Sequence, residues 1–205
     1  MTKRLVFAVF LFLPALVFAG DYGVLSGFLK KHSEVISMEA DFTQEVSYKN
    51  PARKTASSGK LYLKKPGKMR LIFFSPLSDE LVSDGKTYWV YQADLAQAIE
   101  MPLQSAPAGF GFLDGTIDLK KEFALGKTKK TDFGHEMEFF PKNPELPAKK
   151  AVLETDADFS IVKITVTDGF GAVTVVTLKN KKMNQDISDD FFVFKAPKGV
   201  TTVKP

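Results

Sequence analysis

The chain has 205 residues, 44% of them hydrophobic and 25% charged, with 28 Lys+Arg against 24 Asp+Glu and no cysteine. A chain of this size and balance buries a substantial core, fits one domain or at most two, and is not disordered. The lack of cysteine excludes disulfide frameworks, thiolate zinc sites, iron–sulfur clusters and cysteine nucleophiles. In chain order, the first feature is Lys3-Arg4 ahead of an apolar run, Leu5 to Phe18, that closes on Val17-Phe18-Ala19. This is the pattern of a secretory signal peptide cut after Ala19, and a run this short, interrupted by Pro14, serves poorly as a membrane anchor. The exported protein is then 20–205, a soluble single domain. Losing Lys3 and Arg4 lowers the net charge from +4 to +2. The remaining lysine pairs are dispersed and read as solvated surface, with no case for nucleic acid.

From Tyr22 to Ser37 the residues Leu25, Phe28, Leu29, His32, Val35 and Ile36 recur at helical spacing, which predicts one amphipathic helix. The period then changes to two. Met38, Ala40, Phe42, Gln44, Val46 and Tyr48 alternate with polar residues, as in a strand with one buried face. Further strands are expected over 57–65, 68–75, 80–83, 86–92 and 97–101, and again over 123–130, 135–141, 150–155, 161–168, 172–180 and 192–195. Pro66-Gly67, Asp84-Gly85 and Asp168-Gly169 supply turn chemistry between them. About eleven short strands without alternating helices make an antiparallel, mainly β architecture with few helices, and no Rossmann or TIM arrangement.

Two stretches depart from a plain meander. Between Pro102 and Leu119 the small and apolar residues, among them Phe110, Phe112 and Leu113, show no strand alternation; a mobile lid and a packed loop both fit. Several strands are also apolar on both faces: Met69, Leu71 and Phe73 oppose Ile72 and Phe74, and Tyr88 and Val90 oppose Trp89 and Tyr91. A half-solvated sheet does not require this. Either a curved sheet wraps its helices around an apolar cavity, or the core is solid; period and composition leave both open.

Catalytic chemistry is absent from the pattern. There is no P-loop, G-x-S-x-G or H-E-x-x-H, and His32 and His135 read as structural. No enzyme, metal site or cofactor is expected.

Phe42-Thr43-Gln44, the run from Gly59 to Arg70, the run from Leu81 to Tyr91 with its Ser83-Asp84-Gly85-Lys86 hairpin, and the closing 192–200 resemble the LolA family, periplasmic carriers of outer-membrane lipoproteins. The resemblance implies an incomplete antiparallel β-barrel closed by an N-terminal helix and a short helical lid around a hydrophobic cavity. It also implies acylated lipoproteins as cargo, an inner-membrane ABC complex as donor, an outer-membrane LolB-type receptor as acceptor, a periplasmic location and a monomer. On this reading Phe42, Met69, Leu71, Phe73 and Trp89 line the cavity with Phe110, Phe112 and Leu113 of the lid. Lys65, where the family commonly has an Arg bonded to the lid, acts as a latch. The resembling receptor is anchored through a Cys, so a chain without one matches the carrier. A lipid or glycolipid carrier, or a lipoprotein sensor on the same sheet, is the alternative.

Overall fold

The structure is a computed structural model and describes residues 22–76, 78–102 and 109–204; the expected signal peptide lies outside them. After helix α1 (Tyr22–Glu34) come strands β1 (Ser37–Lys49), β2 (Ala52–Lys64), β3 (Lys68–Ser75), β4 (Glu80–Asp84), β5 (Thr87–Gln92) and β6 (Gln97–Pro102). Two one-turn helices, α2 (Gly111–Asp114) and α3 (Leu119–Glu122), lead into β7 (Phe123–Lys130), β8 (Gly134–Pro141), β9 (Ala148–Asp156), β10 (Ile161–Asp168) and β11 (Val173–Met183). A short β12 (Thr201–Val203) follows. All twelve belong to one sheet in the order β12-β6-β5-β4-β3-β2-β1-β11-β10-β9-β8-β7, open between β12 and β7. Every pairing is antiparallel except β12 on β6. The mainly β incomplete barrel expected from the sequence is therefore what forms, with twelve strands rather than about eleven.

Its curvature follows from the burial pattern. Met38, Ala40 and Phe42 of β1, Leu61 and Leu63 of β2, Met69 and Leu71 of β3, Met137 and Phe139 of β8, and Leu153 of β9 join one buried cluster with Phe28 of α1. Strands from opposite halves of a twelve-stranded sheet reach one another only if the sheet wraps round its concave side. The tight wrap needs Gly59, which pairs with Phe42 across β1 and β2. A Cβ there would sit 2.1 Å from the Ile72 carbonyl oxygen and 2.9 Å from the Phe42 ring. Gly59→Ala is accordingly expected to destabilise the protein by about 1–3 kcal/mol through overpacking, read as a lower urea midpoint.

The end of the chain corrects the sequence reading. Instead of a strand over 192–195, a 3-10 turn spans Asp189–Phe192, and the following segment crosses the convex face before β12 pairs with β6. Phe191 meets Tyr62 at 4.9 Å and the Arg70 guanidinium at 4.9 Å, while Phe194 stacks on Trp89 at 5.1 Å. Phe192 and Val82 are fully buried there, apart from the concave core. Asp189 anchors this strap by ion pairs to Lys64 and Lys68, which hold its carboxyl down at about 2. The second apolar face of β3 to β5 is thus covered by this strap at Val82 and Trp89, while Phe74 of β3 stays 59% exposed.

Candidate functional site: a barrel interior filled by its lid

The concave face is built from register. Leu63, Met69, Ser83 and Tyr88 form one row across β2 to β5, and Leu61, Leu71, Leu81 and Val90 form the next. Alternation sends Arg70, Val82 and Trp89 to the other side. Phe42 and Phe73 meet edge to face at 5.2 Å, and Phe110 meets Phe42 in the same way at 6.1 Å. Six of the eight residues expected at a cavity therefore lie in one buried cluster: Phe42, Met69, Leu71, Phe110, Phe112 and Leu113. Phe73 packs against that cluster. Trp89 is the correction: it faces outward, under Phe194, because its neighbours Tyr88 and Val90 take the inner face of β5.

What occupies the interior is the segment from Phe110 to Leu119. Phe110 is fully buried, Phe112 packs tilted against Phe123 with ring centroids 5.3 Å apart, and Leu113 reaches the floor under α1. The void left there, between Phe28, Met38, Leu63 and Leu113, is about 30 Å³, room for one water. So the hydrophobic space is filled by the lid rather than empty. A larger recess of about 320 Å³ opens where Phe73 and Leu81 leave the core, walled by Thr55, Ser57, Pro76 and Asp79. Among the described residues no three His, Asp or Glu side chains converge to hold a metal.

Among the described residues, the polar contacts that hold the lid lie at the end of the barrel opposite that recess. The Gly67 N–H donates to the Asp114 carbonyl at 3.2 Å. Asp114 is 1% exposed, and its carboxylate accepts from the Thr116 N–H and hydroxyl at 2.9 and 2.7 Å. Burial raises its carboxyl against these bonds and the Lys65 charge. The expected latch is arranged differently from expectation. Lys65 Nζ donates to the His32 carbonyl at the end of α1, not to a lid carbonyl, while its methylenes pack on Gly115. Burial lowers the Lys65 amine to about 8, partly offset by Asp114. Lys65 thus ties α1 to the hairpin on which α2 rests, and reaches the lid through charge.

The Ser-Asp-Gly-Lys hairpin braces the same place. The buried Ser83 hydroxyl donates to the Gly67 carbonyl at 2.8 Å and accepts from the Gly85 N–H at 3.1 Å. Asp84 Oδ1 accepts from the Lys86 and Thr87 N–H groups at 2.8 and 2.9 Å, an Asx turn that lets Gly85 take φ +90°. The sequence marks this motif without its role and gives no signal for Asp114, since a lone Asp before Gly-Thr reads only as a turn.

His32 supplies a pH handle. It stacks on Phe28 at 5.5 Å, and burial together with the Lys65 charge lowers its pKa from 6.5 to about 4. The unfolded chain then binds more protons between these values, so the contribution is present above about pH 6.5 and is lost as pH falls toward 4. His32→Gln is expected to flatten the wild-type fall in urea midpoint over that window.

Residues 33–195 match the family model described as outer membrane lipoprotein carrier protein LolA. The chain belongs to the LolA family. It is 29% identical over 205 residues to an outer-membrane lipoprotein carrier protein of Nitrosospira multiformis, covering 98% of this chain and 97% of that one. With the Bordetella avium protein of the same description it shares 31% over 196 residues, covering 93% and 91%. Among solved structures, an uncharacterized conserved protein from Thermus thermophilus superposes with a TM-score of 0.57 at 14% identity, covering 88% of this chain and 99% of that one. A putative outer membrane lipoprotein-sorting protein domain from Vibrio parahaemolyticus gives 0.51 at 13%, covering 83% and 96%. These two likenesses are of fold. The LolA membership makes the chain a member of a family of outer-membrane lipoprotein carrier proteins.

Proposed function

We propose that this chain is exported to the periplasm after loss of residues 1–19, and that 20–205 form one carrier domain. That domain takes acylated lipoproteins from an inner-membrane ABC complex and hands them to an outer-membrane LolB-type receptor. Acyl chains replace the lid inside the barrel, against Phe42, Met69, Leu71 and Phe73, while Lys65 favours the closed arrangement. No catalytic step is involved.

The observation that carries the reading is the lid's composition against its attachment. Phe110, Phe112 and Leu113 place three large apolar side chains at the centre of the barrel, the first at the N-cap of a helix of four residues and the others within it; among the described residues one backbone hydrogen bond holds that helix to the β2–β3 turn. Burying acyl chains stabilises by about 0.8 kcal/mol per CH₂. A carrier that bound them by the full amount would not release them. Displacing a packed lid offsets part of that gain, so net affinity stays near that of a bilayer.

The test is saturable binding of a labelled tripalmitoyl-cysteine peptide by the exported chain, with lipoproteins stranded at the inner membrane on depletion. Absence of both overturns the reading. Free glycolipid as the bound species on purification would replace it with a lipid carrier.

A further inference from the structure

The recess at the open end has a chemistry that acyl chains do not need. Its volume of about 320 Å³ falls within the range of small-ligand sites, and its walls join four apolar residues, Ala56, Phe73, Pro76 and Leu81, to three polar ones, Thr55, Ser57 and Asp79. The Asp79 backbone is fixed, since its carbonyl accepts from the Phe73 N–H at 2.9 Å. Burial raises its carboxyl, and among the described residues no ion pair reaches it. The acidic neighbour Asp94 adds negative potential. The neighbouring carboxylate on β4 differs in this: Glu80 has Arg70 beside it.

The recess is also continuous with the path the acyl chains would take. Phe73 forms its inner wall, Phe42 stands 5.2 Å behind Phe73, and the lid ring Phe110 stands 6.1 Å behind Phe42. Chains that displace Phe110 and lie along this line leave their polar head where the line begins. At that head an acylated cysteine carries ester and amide groups that hydroxyls can serve. It also carries either a free α-ammonium or, when N-acylated, the first side chains of the peptide.

We infer that the recess is a head-group subsite in which Thr55 and Ser57 bind the polar backbone of the acylated cysteine and Asp79 pairs with a primary ammonium beside it. This rests on the carrier reading and adds a preference to it: a cargo head bearing a cation is held more tightly than a neutral one. A carboxylate at the rim of a partly desolvated recess gains most from a partner that brings the missing charge.

The experiment uses three labelled peptides on dipalmitoyl-glyceryl-cysteine: one with a free α-amine, one N-acetylated, and one N-acetylated with Lys as the second residue. Each is titrated against the exported wild-type chain and Asp79→Asn, which removes the charge at nearly constant volume. Wild type is expected to bind an ammonium-bearing peptide about tenfold more tightly than the neutral one, and Asp79→Asn to bring them within about twofold. Selectivity in the first peptide assigns the α-ammonium as the partner, and in the third the lysine. Equal binding of all three by wild type, or a preference that survives Asp79→Asn, overturns the subsite. Failure of wild type to bind any of them would instead overturn the carrier reading, so the two outcomes are distinct.

Discussion

Phe110→Ala should weaken the empty protein and strengthen its grip on acyl chains. The ring is fully buried, edge to face with Phe42, and its removal leaves a cavity in the middle of the barrel. Phe→Ala changes in packed cores cost about 3–5 kcal/mol, so a marked fall in melting temperature without ligand is expected. If acyl chains bind where Phe110 sits, the bound state never contained that packing and loses nothing. The whole cost then falls on the closed state, and apparent affinity rises with the share of open protein. At 1.4 kcal/mol per decade the gain reaches about a hundredfold, levelling off once the open state predominates. Melting temperatures with and without a tripalmitoyl peptide, with titrations of both proteins, measure the two effects. An ordinary core residue would give the same fall in stability and no gain in binding, and that result would remove Phe110 from the site.

Leu71→Glu should have the opposite outcome, abolishing uptake. Leu71 is 0% exposed and sits between Leu61 and Leu81 on the inner face of β3. A carboxyl there finds no partner from its strand neighbours. Leaving a polar group buried without one costs about 1–3 kcal/mol even when neutral, and more when charged. Acyl chains cannot offer it a hydrogen bond, and neither can the lid, so the variant should be both less stable and unable to bind. Leu71→Met, a swap of similar volume expected to cost under about 1.5 kcal/mol, should bind as wild type does. Circular dichroism separates the cases: a sheet that persists without uptake locates the defect in the interior. Normal uptake by Leu71→Glu would move the cavity elsewhere.

Much of this was legible in the sequence, and for local reasons. The helix at 22–34, the strands and the hairpins follow from periods of 3.6 and 2 and from turn residues such as Gly67 and Gly85, whose φ values of +71° and +90° only glycine takes easily. The family resemblance lay in such local runs too, and the match over residues 33–195 bears it out. The final strand was misplaced because Phe191, Phe192, Val193 and Phe194 are apolar enough for one. Their partner is the convex face of a sheet whose neighbours lie more than a hundred residues earlier.

Composition and period thus settle that the chain is a mainly β protein with one long helix, without thiol chemistry, and with more apolar strand faces than a half-solvated sheet can use. They do not settle which face is inside. In β5, Tyr88 and Trp89 are both large and aromatic, and alternation cannot rank two covered faces. Closure of the sheet puts Tyr88 in the core, and the C-terminal strap takes Trp89. Nor can period say whether the interior is empty or filled, since Phe110, Phe112 and Leu113 belong to no repeating pattern. Their burial at the centre of the barrel depends on contacts between distant segments, with Phe42 from the first strand, Phe123 from the seventh and Gly67 in a hairpin turn. Those contacts exist only once the sheet has wrapped.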